Sequence, residues 1–449
     1  MNIKTAALLV FPSFALDATP CRIEIVDQEN GWPVPLVELV TTHERRMVSD
    51  NRGVIAVDDP ELLGRDVWFT VKGHGYRVPA DGFGFEGVRT TLQPGGTFRI
   101  EVTRQNMAKR LGRLTGGGQF AESEKLGEPP LQPESSLFGC DSVLLTEHAG
   151  KLFWVWGDTK VPGYPLGVFL ATAATTSLIP LAQARPPIAL RYDYVRDESG
   201  TPRGVAAMAG EGPTWLTGLV SFADGQLGAT YSKIEGHLEE YRVGLCLWDE
   251  AASSFKSTKV LWQKADGKKP LLLKGHPVRW KDPAGKAWLL FGDPFPDARC
   301  PDDVDAWRNP DTWEPIEAPT KLRAAGSQAE IQVHRGSIAW NAFRQRWVAV
   351  FTQNFGKPSS LGEIWYAEAR SPLGPWSDAV KILSHDNYTF YNPRIHRELT
   401  SDKDSYLLFE GTYTAEFADH APPTPRYNYN QILYRLDLDD PRLPSPTSD

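Results

Sequence analysis

Asp141 and Asp158 stand 17 residues apart, each at the end of a β-rich run. Cys140-Asp141-Ser142-Val143-Leu144-Leu145 precedes a polar turn, and Lys151-Leu152-Phe153-Trp154-Val155-Trp156-Gly157-Asp158-Thr159 follows it. The same spacing separates His276 from Asp293, the last residue of Trp288-Leu289-Leu290-Phe291-Gly292-Asp293. Two carboxyl groups brought together can divide acid–base work, one held protonated while the other attacks or activates water. Cleavage of a glycosidic bond has that requirement. Asp158 follows an apolar, aromatic strand, where burial would raise its pKa as an acid needs. Asp141 is the matching nucleophile or base, and the two roles stay open to exchange. The plain alternative is that Gly157-Asp158-Thr159 only caps a turn.

These residues need strands to hold them. From Leu137 onward, five similar units have second strands ending near Asp158, Lys233, Asp293, Gln353 and Gly411. Further strands follow, such as Tyr241-Arg242-Val243-Gly244-Leu245-Cys246-Leu247 and Gln431-Ile432-Leu433-Tyr434-Arg435-Leu436. Helical periodicity is nowhere sustained, so the chain is expected to be all-β. Four strands about every sixty residues, five times over, indicate a five-bladed β-propeller over 137–443. In such a fold the innermost strands line a shared axial pocket. That assigns His276, Asp293, His334, Arg335, Asn392, His396 and Glu410 to substrate binding. Glu410 and Glu363 are the reserve acids. His276 and His334 suit hydroxyl contacts better than a metal, and Arg335 could hold an acidic group with its planar fork or pair with an aspartate. Trp154, Trp156, Trp215 and Trp340 read mainly as core, with a minority facing sugar.

Ahead of the repeats, residues 21–106 read as a small β-sandwich. Cys21-Arg22-Ile23-Glu24-Ile25-Val26 alternates with period two, and Asp50-Asn51-Arg52-Gly53 marks a turn before Val54-Ile55-Ala56-Val57. This layout resembles the transthyretin-like regulatory domain of carboxypeptidases. Residues 107–136, with Gly116-Gly117-Gly118 and Pro129-Pro130, read as a flexible, exposed linker. Residues 1–20 carry one lysine, an apolar run and small residues, as a signal peptide would. The expected location is therefore secreted or periplasmic.

Composition narrows the partners. A net charge of −8 without a basic run argues against nucleic acid, and no segment is long and apolar enough to span a bilayer. Fifteen Trp, 14 Tyr and 20 Phe fit aromatic β cores and sugar-stacking faces. Cys21, Cys140, Cys246 and Cys300 have no zinc or redox spacing, which leaves at most an unassigned disulfide. No cofactor is expected, and a structural Ca²⁺ stays open without a motif behind it.

Gly139-Cys140-Asp141-Ser142 followed by Gly150-Lys151 and Gly157-Asp158-Thr159 resembles the start of the propeller enzymes of glycoside hydrolase family 183, which cleave D-arabinan. The resemblance implies that the family's paired aspartates map onto Asp141 and Asp158. The units carrying Tyr391-Asn392-Pro393-Arg394-Ile395-His396 and Phe409-Glu410-Gly411-Thr412-Tyr413 are similar more broadly to five-bladed furanosidases. Those enzymes often use a third carboxylate on the second blade, whereas this chain has Leu216 and Lys233 there. The expected function is hydrolysis of a furanoside-containing or related polysaccharide. A non-catalytic carbohydrate-binding propeller is the alternative, and a polysaccharide lyase using Arg335 is a third reading.

Overall fold

The computed structural model describes residues 19–181, 184–419 and 421–444. The expected signal peptide falls almost wholly outside them. The described chain is nearly all strand; its helices are two short ones, Ala121–Lys125 and Val304–Arg308, and three single 3₁₀ turns. No helix among the described residues is long and apolar enough to cross a membrane.

The N-terminal part folds into two four-stranded sheets. Cys21–Asp27 pairs antiparallel with Val54–Val57 and parallel with Thr97–Arg104. Glu38–Thr41 lies between Arg46–Val48 and Asp66–Lys72. Alternation does the sorting: Cys21, Ile23 and Ile25 are buried while Arg22 and Glu24 stay half open. Residues from both sheets, among them Ile23, Ile25, Leu39, Ile55, Phe69 and Val102, share one core.

Besides a small three-stranded sheet of Gly139–Cys140, Thr159–Val161 and Tyr164–Val168, five four- or five-stranded antiparallel sheets follow. Counting from the strand that opens each central hairpin, and so after Lys321–Arg323 in the fourth sheet and Lys109–Arg113 in the last, their first strands are Val143–His148, Thr214–Ser221, Val278–Lys281, Glu330–Asn341 and Thr389–Ile395. Their second strands are Lys151–Trp156, Leu227–Glu235, Ala287–Gly292, Arg346–Gln353 and Tyr406–Thr414, at or beside the five expected ends. Hydrogen bonds join neighbouring sheets in a cycle. His148 Nδ1 meets Ser221 Oγ at 2.9 Å, and Gly218 N donates to Gly275 O at 2.9 Å. Gly336 N donates to Asp293 Oδ1 and Ile395 N to Ser337 Oγ, both at 2.8 Å. Arg394 Nη2 returns from the last sheet to Leu145 O of the first, at 2.8 Å.

The segment read as a flexible linker is ordered, which corrects that expectation. Lys109–Arg113 is the outer strand of the last sheet, with Ile432 opposite Arg113 and Arg435 opposite Lys109. Its polar sequence hid it because Arg110 and Arg113 are buried charges with partners. Arg110 donates to Pro35 O, Leu36 O, His74 O and Tyr434 Oη. Gly116 takes φ +76°, and a Cβ there would lie 2.7 Å from Phe138 O. The same stretch ties the N-terminal sheets to the last sheet. Asn51, fully buried, accepts from Arg113 N at 2.9 Å and donates to Arg113 O at 2.8 Å.

Candidate active site

The first hairpin keeps one register from Gly139 opposite Lys160 and Cys140 opposite Thr159 to Val143 opposite Trp156 and beyond. Between those ladders, Asp141-Ser142 faces Gly157-Asp158, and Asp141 N donates to Asp158 O at 2.9 Å. Directly opposed residues of an antiparallel pair project to one face, with Cβ atoms about 5 Å apart. Gly157 leaves room for this: a Cβ there would stand 3.3 Å from the Cβ of Asp141.

The two carboxyl groups have opposite surroundings. Asp141 is ringed by donors: Tyr391 Oη at 2.7 Å and Ser142 Oγ at 2.8 Å on Oδ1, and Tyr429 Oη at 3.2 Å on Oδ2. Burial, and then the Asp141 charge, hold both phenols well above the ordinary tyrosine range, so they remain neutral donors. Asp158 has far less support. Burial and then the charge of Asp141 push it up to about 7, with Glu416 adding to the effect and a hydrogen bond from Trp215 opposing it. Its Oδ1 is buried with no partner. One carboxyl group is thus built to accept and the other to carry a proton near neutrality.

Backbone irregularities shape the surroundings. Three first strands each carry one extra residue against their neighbours, at Gly218-Leu219, His334-Arg335 and Asn392-Pro393. Such bulges re-aim side chains beside active sites. Asn392 sits at φ +52° and its Nδ2 donates to Ser142 Oγ, next to Asp141.

A second polar group forms where the third and fourth sheets meet. Asp293 accepts from Gly336 N, lies 3.7 Å from Arg335 Nε, and keeps 30% of its side-chain surface open. Burial pushes its carboxyl up to about 6, against the pull of Arg335. Burial first, then the charge of Arg394, lowers His276 to about 3; burial and Arg335 lower His334 to about 4. Both imidazoles are neutral, which suits hydroxyl hydrogen bonds.

Other expected site residues lie elsewhere. His396 and Glu410 are wholly buried, with Nε2 3.1 Å from Oε1, and His396 Nδ1 contacts Arg394 Nη1 at 2.8 Å. Simple alternation would put His396 on the face of Asn392, but the extra residue between them shifts the phase. Neither residue is open to a ligand. Glu363, the other reserve acid, has no exposed side-chain surface and is held by Lys381 Nζ at 2.6 Å and Ser384 Oγ at 2.7 Å. Trp154 and Trp156 are fully buried, whereas Trp340 is 39% exposed.

Sequence reasoning missed Tyr429, Glu416 and Lys160. Lys160 Nζ lies 4.1 Å over the Tyr429 ring and 3.6 Å from Glu416. Tyr391 was visible in its motif but was not given a role. Among the described residues, no group of three or more His, Cys, Asp or Glu is arranged to hold a metal ion. All four cysteines are free and buried.

No family model and no curated protein matches the chain. Solved structures of similar shape include an exo-1,5-α-L-arabinanase from a bovine ruminal metagenomic library, at 11% identity and a TM-score of 0.40, covering 67% of this chain and 94% of that one. An exo-β-1,3-galactanase from Phanerochaete chrysosporium is 11% identical with a TM-score of 0.39, covering 67% and 61%. An arabinanase from Bacillus subtilis is 11% identical with a TM-score of 0.34, covering 66% and 96%.

Proposed function

We propose that this chain is a glycoside hydrolase acting on a furanoside-containing or related polysaccharide, built as a five-bladed propeller behind an N-terminal β-sandwich. The observation that carries the reading is the cross-strand pair Asp141–Asp158, whose two carboxyl groups meet contrasting surroundings. Asp158, raised to about 7, protonates the leaving-group oxygen. Asp141, held by Tyr391, Ser142 and Tyr429, serves as the carboxylate that attacks the anomeric carbon or draws a proton from water. Asn392, Asp293, Arg335 and the neutral His276 and His334 position the sugar. The contact between Arg335 and Asp293 favours hydrolysis over the lyase reading, because a paired guanidinium is less free to neutralise a uronate.

The test is release of reducing ends from arabinans, galactans and sulfated polysaccharides by wild type, Asp141→Asn and Asp158→Asn. Loss of roughly 10²–10⁴-fold in both folded variants is expected. Unchanged turnover in both would reject the assignment, and binding without cleavage across the panel would favour a carbohydrate-binding propeller.

A further inference from the structure

A cavity of about 600 Å³ lies away from the aspartate pair, between the N-terminal sheets and the last sheet. That size is within the roughly 300–1,000 Å³ of small-molecule sites, and seams between folded units are a common place for them. Glu38, Arg46, Lys72 and His74 line it from the N-terminal side, and Tyr388 and Tyr413 from the other. The seam is held by buried bonds, including Asn51 to Arg113 and Tyr427 Oη to Ser49 O at 2.7 Å, so the cavity is a fixed feature of the fold.

Its wall mixes charges of both signs, with Glu38, Glu44, Asp386 and Asp419 beside Arg46, Lys72 and Arg77. Arg46 is taken up by Glu38 at 3.0 Å, and Arg77 by Asp386 at 3.3 Å. Ion pairs of this kind keep spare donors and acceptors for hydroxyl groups. His74 stands at the wall as an imidazole kept neutral by burial and by Arg110. Leu36, Val40 and Val71 give the apolar patches that the C–H faces of a sugar ring cover.

A short run of chain links the cavity wall to Asp141. Tyr388 Oη, from the cavity wall, donates to Asn428 Oδ1 at 3.0 Å. The next residue is Tyr429, whose hydroxyl donates to Asp141 Oδ2. The residue before is Tyr427, which bonds to Ser49 of the N-terminal sheets.

We propose that this seam is a second saccharide site, taking a neutral oligosaccharide segment in contact with the run that carries Tyr429. The choice of ligand class rests on the hydrolase reading, while the existence of the site rests on the cavity alone. The experiment is calorimetric titration of arabinotriose, and separately galactotriose, into full-length Asp158→Asn. Two binding events are expected for at least one probe. Lys72→Trp, at an exposed strand end facing the cavity, should abolish one event and leave a folded chain by thermal melt. Arg77→Ala, also exposed, should weaken that same event about tenfold. A single event, two events both insensitive to Lys72→Trp and Arg77→Ala, or no binding of either probe would overturn the proposal. Full hydrolytic activity in Asp141→Asn and Asp158→Asn would instead remove the catalytic assignment and leave a two-event titration standing.

Discussion

The hydroxyl of Tyr391 donates to Asp141 Oδ1 at 2.7 Å, joining the last sheet to the first across 250 residues of chain. This bond adds a donor from a distant strand to the one that Ser142 supplies to Oδ1 from the carboxylate's own hairpin. Tyr391→Phe removes the donor and preserves the ring. Losses of an aligned, preorganised donor run to about 10²–10³ in rate, so kcat should fall by about 10²-fold with little change in melting temperature. Steady-state kinetics beside a thermal melt will check it, and an unchanged kcat would make the bond structural only.

Asp158 predicts a pH dependence of known sign. Its carboxyl is raised from 3.8 to about 7, and in the proposed reaction the protonated form is the acid. The rate should therefore fall as pH rises through about 7, in a pH profile of kcat/KM.

The same shift has a consequence for stability. Below about pH 3.8 the carboxyl is protonated both folded and unfolded, so it contributes no pH dependence. Between there and about pH 7 the folded chain binds more protons, so this group's share of stability declines as pH rises and is fully lost above about 7. Asp158→Asn should thus melt higher than wild type at pH 8, by an amount that shrinks toward pH 4. Calorimetry at both pH values would expose the opposite trend.

Glu410 belongs to the core and not to the pocket. Truncating a fully buried side chain to alanine leaves a cavity and costs about 2–5 kcal/mol. Glu410→Ala should lose stability on that scale in urea denaturation, while any folded fraction keeps its turnover per molecule. A folded, stable and inactive variant would return Glu410 to the reaction.

Asn51 bonds to both the N–H and the C=O of Arg113, so Asn51→Ala takes a partner from each of these backbone groups. Each such group costs about 1–3 kcal/mol. The expected outcome is a clear drop in the melting temperature, measured by scanning calorimetry; a loss under about 0.5 kcal/mol would mean the seam tolerates water there.

Much of this was legible from residue order. Strand period two and the repeated aromatic-Gly-Asp endings marked the second strands to within a few residues, because side-chain alternation and turn chemistry are local properties. Asp141 and Asp158 could be paired on paper because one hairpin of constant register holds both. His396 was misread because a single added residue at Asn392-Pro393 reverses which face later residues of that strand occupy, and Glu410 because its strand, Tyr406–Thr414, is buried on both faces. Lys109–Arg113 escaped notice because a strand whose buried members are arginines looks like a polar linker until their carbonyl and phenol partners are known.

The sequence by itself determined the kind of elements, their repetition and the hairpin that sets two aspartates opposite one another. Only the tertiary structure decided what surrounds each carboxyl group. Tyr391 and Tyr429 reach Asp141 from the last sheet, while Trp215 of the second sheet and Glu416 of a distant loop act on Asp158. Burial and neighbouring charge give two identical side chains different proton affinities, and both depend on groups far away in sequence that meet only when the sheets close into a cycle.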